Sequence, residues 1–141
     1  MKILKTLYTG KYCKIYHNEE LNIVQTEWKE GINGDEFRNI LNKIIDALRE
    51  TKTSIILADA RRMSMITKQD SDWIINTWYP SAVKAGFRCQ ALIVTEDSYN
   101  ELALKEIVEH YNDQIIETAY FTAFTEAFVW VKSKQLTGAS S

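Results

Sequence analysis

The sequence predicts an α/β protein with a single sheet of about five strands, mainly parallel, that begins with an antiparallel hairpin. Two strand-like runs separated by a short polar turn stand near the beginning of the chain. Helical and strand-like runs then alternate, which is typical of a parallel sheet with helical crossovers. The 141 residues suit one domain, so we expect the order β-β-α-β-α-β-α-β-α within a single domain over residues 1–135.

The predicted hairpin joins two half-buried strands. Side chains alternate over residues 12–17, the turn Asn-Glu-Glu follows, and residues 21–28 form a second β-branched and aromatic run. Tyr12, Tyr16 and Trp28 then lie at the edge of the predicted sheet. Because unprotected edges tend to find partners, this edge favours a homodimer.

The first helix is predicted from an apolar stripe at helical spacing after Gly34. Asn33 or Asp35 is expected to cap its start by accepting a hydrogen bond from an otherwise unpaired backbone N–H. The stripe consists of Phe37, Ile40, Leu41, Ile44, Ile45 and Leu48.

The remaining strands and helices alternate. Capping-box patterns begin helices near Thr67 and Ser98, and Pro80 is expected to kink or end the earlier of these two helices. The predicted strands are residues 54–59, 89–95 and 116–121. The last helix carries Phe124, Ala127, Phe128 and Val131. Residues 136–141 have no periodicity and are expected to form a disordered tail.

Charge and composition exclude several classes of protein. The chain has 17 Lys and Arg against 19 Asp and Glu, a net charge of −2, so it lacks the basic footprint of a nucleic-acid-binding protein. Its two cysteines do not make a disulfide framework. No apolar run has the length of a membrane span or of a signal-peptide core, and we therefore expect a cytoplasmic protein.

Candidate binding residues cluster after the strand at residues 54–59. Asp59 ends this strand, and ligands of parallel sheets tend to bind beyond the carboxyl ends of strands. Arg61 and Arg62 follow, so Asp59 has either a binding role or a structural ion pair. Met63 and Met65 in the same loop suit a partner surface or an apolar ligand, although methionines also fill gaps in a core.

Two tryptophans in the next helix are further candidates. Trp73 and Trp78 lie five residues apart, so their helix faces overlap only in part. We expect one to pack on the sheet and the other to line a groove.

The sequence predicts no cofactor and no metal site. His17 and His110 lie in different elements without a suitably spaced carboxylate or cysteine. Cys13 and Cys89 are strand residues, expected to be small buried hydrophobes. There is no glycine-rich phosphate loop and no nucleophile motif. These absences favour a non-enzymatic protein.

Four segments carry a resemblance to a known fold: residues 23–30, 55–61, 73–86 and 119–127. With the order of elements, they make the chain similar to the SpoIIAA-like fold of STAS domains from residue 12 to about residue 134. The family includes bacterial anti-sigma-factor antagonists, which bind a partner kinase and are switched by serine phosphorylation. Other relatives are associated with small apolar or nucleotide ligands.

The resemblance implies a phosphorylation site at Ser71. The matching stretch reads Thr-Lys-Gln-Asp-Ser-Asp over residues 67–72, where antagonists have an Asp-Ser-Ser-Gly-like step. Asp72 replaces the second serine and Trp73 stands at the glycine position. A phosphate on Ser71 would meet the favourable helix dipole but would be repelled by Asp70 and Asp72.

Three functions remain open from the sequence. The first is a regulatory domain that contacts a protein partner through the loop from Asp59 to Thr67 and the adjoining helix start. The second is a carrier of a small apolar ligand or lipid in a pocket between helix and sheet. The third, an enzyme using Asp59 with Arg61, lacks an activated nucleophile.

Overall fold

A computed structural model of the protein describes residues 4–29, 32–63, 65–111 and 115–136. One mixed sheet contains every strand in these ranges, in the spatial order β1-β2-β3-β4-β5-β6. The first three strands pair antiparallel, and β3 to β6 pair parallel. The strands are β1 (Leu4–Thr9), β2 (Cys13–Asn18), β3 (Ile23–Trp28), β4 (Ile55–Asp59), β5 (Cys89–Ile93) and β6 (Glu117–Phe121).

The predicted count of about five strands is wrong by one, because Leu4–Thr9 also forms a strand. The pairing of β1 with β2 has an irregular register between Thr6 and Tyr8. Leu7 and Tyr8, although adjacent in sequence, both pack against the same core. This irregularity interrupts the two-residue alternation from which strands are recognised in a sequence.

The extra strand also moves the edge of the sheet. β1 pairs with β2 along its length, so the strand that carries Tyr16 is interior and does not form the predicted edge. Trp28 is buried in the core, 3% exposed. The homodimer remains a prediction, without the aromatic edge on which it was based.

Helices cover both faces of the sheet unequally. The helices are α1 (Gly34–Thr51), α2 (Lys68–Trp73), a π-helix (Ile74–Trp78), α3 (Tyr79–Lys84), α4 (Tyr99–Tyr111) and α5 (Phe124–Leu136). The strands follow one another in the sheet, and crossovers between parallel strands are right-handed as a rule. The crossover helices therefore share one face, where α1, the π-helix, α3 and α4 contribute to one hydrophobic core. The opposite face is covered by α5 through Ala127 and Val131.

The predicted stripe of α1 is confirmed, but its predicted cap is wrong. All six stripe residues are buried. Asn33 occupies the N-cap position without a side-chain hydrogen bond. Instead, Asp70 of α2 accepts a hydrogen bond from the Gly34 backbone N–H through Oδ2 at 2.9 Å.

The helical segment from Lys68 to Lys84 runs through Pro80. Thr67 caps its start as predicted, since Thr67 Oγ1 accepts a hydrogen bond from the Asp70 backbone N–H. The π-helical turn precedes Pro80, and α3 then continues to Lys84. Consecutive Trp78 and Tyr79 are both buried at 5% exposure, next to this wider turn.

The other predicted elements are confirmed with small differences at their ends. Ser98 caps α4, because its Oγ accepts a hydrogen bond from the Glu101 backbone N–H at 3.0 Å. Of the predicted disordered tail, Leu136 ends α5 and the remainder lies outside the described residues.

Candidate functional site

Asp59, at the carboxyl end of β4, is bound on both oxygens by Arg61. Arg61 Nε donates to Asp59 Oδ1 and Arg61 Nη2 donates to Oδ2, each over 2.9 Å. These hydrogen bonds raise the pKa of Arg61. The guanidinium also lies over the Phe124 ring, 5.4 Å from its centroid. Asp59 is therefore engaged in a fork-like ion pair and is not a free general base.

The loop residues after Arg61 lie in different surroundings. Arg62 is exposed, Met63 is half-buried against the core, and Met65 is 61% exposed. Ser64 between the two methionines lies outside the described residues. The predicted cluster is thus divided between the interior and the surface.

Met65 lines a surface groove between α2 and α4 that has a volume of about 590 Å³. We call it the α2–α4 groove. Three of its apolar side chains are largely exposed: Met65 at 61%, Tyr99 at 77% and Leu102 at 60%. The groove is lined by Met65, Ile66, Lys68, Ser71, Asp72, Ile75, Tyr99, Leu102, Ala103, Glu106, Ile107 and His110.

The charges along the groove are mainly acidic. Lys68 Nζ lies 3.2 Å from Asp72 Oδ2 in an exposed pair, and these two opposite charges leave the charge of Glu106 uncompensated. Glu106 makes no ion pair with any described residue. Lys105 of α4 pairs with Glu101 and lies over the Tyr120 ring, and it does not line the groove.

Ser71, the candidate phosphorylation site, lines this groove from the first turn of α2 and is half-buried. Its backbone N–H donates to the Thr67 carbonyl at 2.8 Å. Asp70, which was expected to repel a phosphate, is 2% exposed and ion-paired with Arg38 at 3.1 Å. Of the two flanking acids, only Asp72 shares the groove with Ser71.

The two tryptophans have different environments. Trp78 is buried, and its Nε1 donates to the Leu41 carbonyl at 2.7 Å. Trp73 is half-buried, with the Arg38 guanidinium 5.3 Å from its ring centroid. Trp73 does not line the α2–α4 groove.

A small apolar cavity of about 70 Å³ lies between the helices and the sheet, and we call it the Trp78 cavity. One of its wall residues has an orphan polar atom, since Thr26 is 3% exposed and its Oγ1 has no hydrogen-bond partner among the described residues. Met63 and Trp78 line it, whereas Met65 and Trp73 do not. Its walls are Thr26, Trp28, Phe37, Leu41, Ile44, Ile56, Ala58, Ala60, Met63, Ile66, Ile74, Trp78, Tyr79, Gln90, Leu92, Leu104 and Ile107.

The cysteines offer no activated nucleophile. Burial raises the pKa of Cys13 to about 12 and that of Cys89 to about 11, so both thiols stay protonated at neutral pH. In the described ranges, no three His, Cys, Asp or Glu residues form a group suited to a metal ion. None of the helices there combines the length and apolar character of a membrane span.

Sequence reasoning missed the contribution of α4 and of Thr26. Tyr99 and Leu102 are three residues apart and therefore share one side of α4, which is the signal from which an exposed apolar stripe can be found. Thr26 gives no such signal, because a threonine in a strand is ordinary and its missing partner is a property of the packed structure.

Comparisons with known proteins support the fold. No protein-family model matches the chain, and no curated protein matches its sequence. An uncharacterized protein of the DUF3478 family with a SpoIIAA-like fold, from Shewanella loihica, is similar in structure with a TM-score of 0.54 at 13% identity, over 92% of this chain and 93% of that one. Apo-SiaC from Pseudomonas aeruginosa is more distant, with a TM-score of 0.44 at 8% identity, over 86% of this chain and 98% of that one. The predicted SpoIIAA-like fold is confirmed.

Proposed function

We propose that this protein is a non-enzymatic regulatory domain that acts by binding a protein partner in the α2–α4 groove. The observation that carries the proposal is the exposure of Met65, Tyr99 and Leu102 around one groove, at 61%, 77% and 60%. Clustered exposed apolar side chains beside a concave surface are typical of interaction sites, whereas single exposed apolar residues are ordinary.

The residues with the most reactive chemistry, Asp59 and the two cysteines, argue against catalysis. Asp59 is bound by Arg61 on both oxygens, and the two thiols are protonated and buried. A catalytic site needs a nucleophile or base with a free lone pair near a place where substrate can sit. The candidate residues do not supply one.

The groove favours a partner segment that is apolar in its centre and basic at its flanks. Met65 is flexible and polarizable, and so adapts to an apolar side chain of the partner. Glu106 lines the groove without an ion pair to any described residue, and Glu109 is exposed on the same helix. Basic flanks would complement this charge and speed association.

The partner can be identified by affinity purification with wild-type protein and a Met65→Ala/Leu102→Ala double variant in parallel, followed by affinity measurements with the purified partner. We expect the double variant to raise the Kd at least about ten-fold, since apolar side chains at the centre of an interface contribute most of the binding energy. Val129→Ala is the matched control, because Val129 is 66% exposed on α5.

Equal affinities of wild type, double variant and control for the identified partner would reject the groove. Alanine variants of Arg61, Arg62 and Met63 then test the neighbouring loop surface. If those changes also leave the affinity unaltered, the predicted loop face is not the interface.

Ser71 offers a control point for such binding. It lines the groove, so a phosphate there would add negative charge opposite the basic flanks of the partner. A Ser71→Asp variant is expected to bind the partner more tightly than Ser71→Ala at low salt, with the difference shrinking at high salt. Equal affinities would exclude this role.

A second candidate function, a carrier of a small apolar ligand, is favoured by the orphan Thr26 Oγ1 in the Trp78 cavity. A buried hydroxyl without a partner carries a cost that a polar ligand atom would remove. The cavity of about 70 Å³ admits only a few heavy atoms unless its walls move.

Titration with 1-propanol, followed by NMR of the methyl groups of Leu41, Ile44 and Ile56 in the cavity wall, tests this candidate. A saturable shift that Thr26→Val weakens would support it. Xenon, which has no polar atom, should bind equally to both proteins. The absence of a response to both probes would exclude the cavity as a ligand site.

A further inference from the structure

A third concave site lies at the opposite end of the sheet from Asp59. It is formed where α1 and α3 end and β4 begins, and its volume is about 440 Å³. Arg49, Lys52 and Lys84 line it, together with Ser54 and Gly86. We call it the basic pocket.

The charge of this pocket is opposite to that of the whole chain. Its lining contains three cationic residues and no acidic one, whereas the chain carries a net charge of −2. Arg49 approaches Asp46 only at 3.9 Å, and both side chains are more than half exposed, so the pair neutralises little of the charge.

Basic residues near helix ends often serve to bind the last carbonyl groups, but here other donors fill that role. In α1, the Leu48 carbonyl accepts the backbone N–H groups of Lys52 and Thr53. In α3, the Val83 carbonyl accepts the Gly86 N–H and Arg88 Nη1, both at 3.0 Å.

The ammonium groups of Lys52 and Lys84 accordingly have no hydrogen bond or ion pair with any described residue. Both side chains are exposed, so a ligand can reach them from solvent.

Ser54 supplies an independent observation. Its Oγ is buried and has no hydrogen-bond partner among the described residues, although its carbonyl accepts the backbone N–H groups of Arg88 and Cys89. A buried hydroxyl without a partner is energetically costly, and Ser54 recovers that cost when its side chain turns toward an oxygen of a ligand in the pocket. Gly86, at φ +108°, leaves its side of the pocket without a Cβ.

We propose that the basic pocket binds the phosphate group of a phosphorylated molecule. A phosphate dianion needs about two compensating charges and presents oxygens in several directions. The pocket offers a planar guanidinium from α1, ammonium groups that follow α1 and end α3, and a hydroxyl donor before β4. A single carboxylate, with one charge and two oxygens in a plane, would leave most of these donors unused.

Calorimetric titration with pyrophosphate at constant ionic strength tests the proposal. We expect saturable binding by the wild-type protein, with Lys84→Gln and Arg49→Gln each raising the Kd about five-fold or more. Ser54→Ala should raise it less, because only one neutral donor is lost. Lys132→Gln on α5, an equal change of charge at another exposed lysine, should leave the Kd unchanged.

Two comparisons complete the test. One distinguishes a lipid from a soluble source of the phosphate, and the other measures the preference of the pocket for phosphate over carboxylate. Vesicles containing phosphatidic acid, with phosphatidylcholine vesicles as the reference, test a lipid head group against the soluble anion. Succinate at the same ionic strength tests a carboxylate. The proposal is overturned if neither pyrophosphate nor phosphatidic acid binds, if succinate binds as tightly, or if Lys132→Gln weakens binding as much as Lys84→Gln.

Discussion

The Asp70 carboxylate of α2 closes the beginning of α1, where its Oδ2 accepts the backbone N–H of Gly34 at 2.9 Å. Its other oxygen accepts from Arg38 Nε at 3.1 Å, and Arg38 in turn lies over Trp73. Asp70 is 2% exposed. One carboxylate thus fixes the position of α2, and with it one wall of the α2–α4 groove, relative to α1.

Replacing Asp70 by alanine is expected to lower the free energy of unfolding by about 2–4 kcal/mol, because it leaves the Gly34 N–H without its acceptor and Arg38 without its counter-ion. Urea unfolding measures the loss. Asp72→Ala, which removes an exposed pair with Lys68, should cost less than about 0.5 kcal/mol. Equal losses in the two variants would contradict the role of Asp70.

Trp78→Phe is expected to destabilise the protein by about 1–3 kcal/mol. The substitution removes the Nε1 hydrogen bond to the Leu41 carbonyl and enlarges the Trp78 cavity. Thermal and urea unfolding should agree on the sign. Trp73→Phe keeps an aromatic ring under Arg38 and should lower the free energy of unfolding clearly less. A larger loss in Trp73→Phe than in Trp78→Phe would contradict the structural role given to Trp78.

The thiols of Cys13 and Cys89 should resist a thiol-specific reagent in the native protein at pH 8. They are 0% and 2% exposed, and burial raises their pKa values to about 12 and about 11. We expect labelling to be at least about 100-fold slower than in urea-unfolded protein, because the thiolate is the reactive form. Rapid native labelling of either cysteine, identified by mass spectrometry of the peptides, would contradict this burial.

Tyr79 is expected to make the free energy of unfolding depend on pH in the alkaline range. Burial raises its pKa from 10.0 in the unfolded chain to about 12, so the folded state favours the neutral phenol. Its contribution is fully present below pH 10 and is lost as pH rises from about 10 to about 12. Tyr79→Phe should show a smaller loss of unfolding free energy over this window than wild type, measured by urea unfolding at each pH. Parallel pH profiles would rule out this contribution.

Regular amphipathic elements were predictable because their signal is local. The stripe of α1 identifies both the helix and its buried face, and the capping residues Thr67 and Ser98 mark helix starts correctly. The strand Leu4–Thr9 was missed because its irregular register breaks the alternation. The π-helix is equally invisible, since nothing in Ile74–Trp78 distinguishes it from an α-helical turn.

Interactions across the fold could not be predicted from one sequence. Asp70 and Gly34 are 36 residues apart, and only the packing of α2 on α1 brings them together. Of the residues around the α2–α4 groove, Met65 was predicted from its position in the loop. Tyr99 and Leu102 were not, because they belong to a helix whose apolar residues resemble core positions. The basic pocket joins the ends of two helices and the start of a strand, none unusual by itself.

The spatial order of the strands also has a consequence for synthesis of the chain. Each strand lies beside the strand that precedes it in sequence. A strand leaving the ribosome therefore finds its neighbour already made, and no strand must wait for a later one to fill a gap between them. In the finished sheet the last edge is β6, whose residues are exposed or half-buried, but an incomplete chain that ends after β4 or β5 presents an almost wholly buried strand as its open edge, which makes nascent fragments the form of this protein most exposed to aggregation.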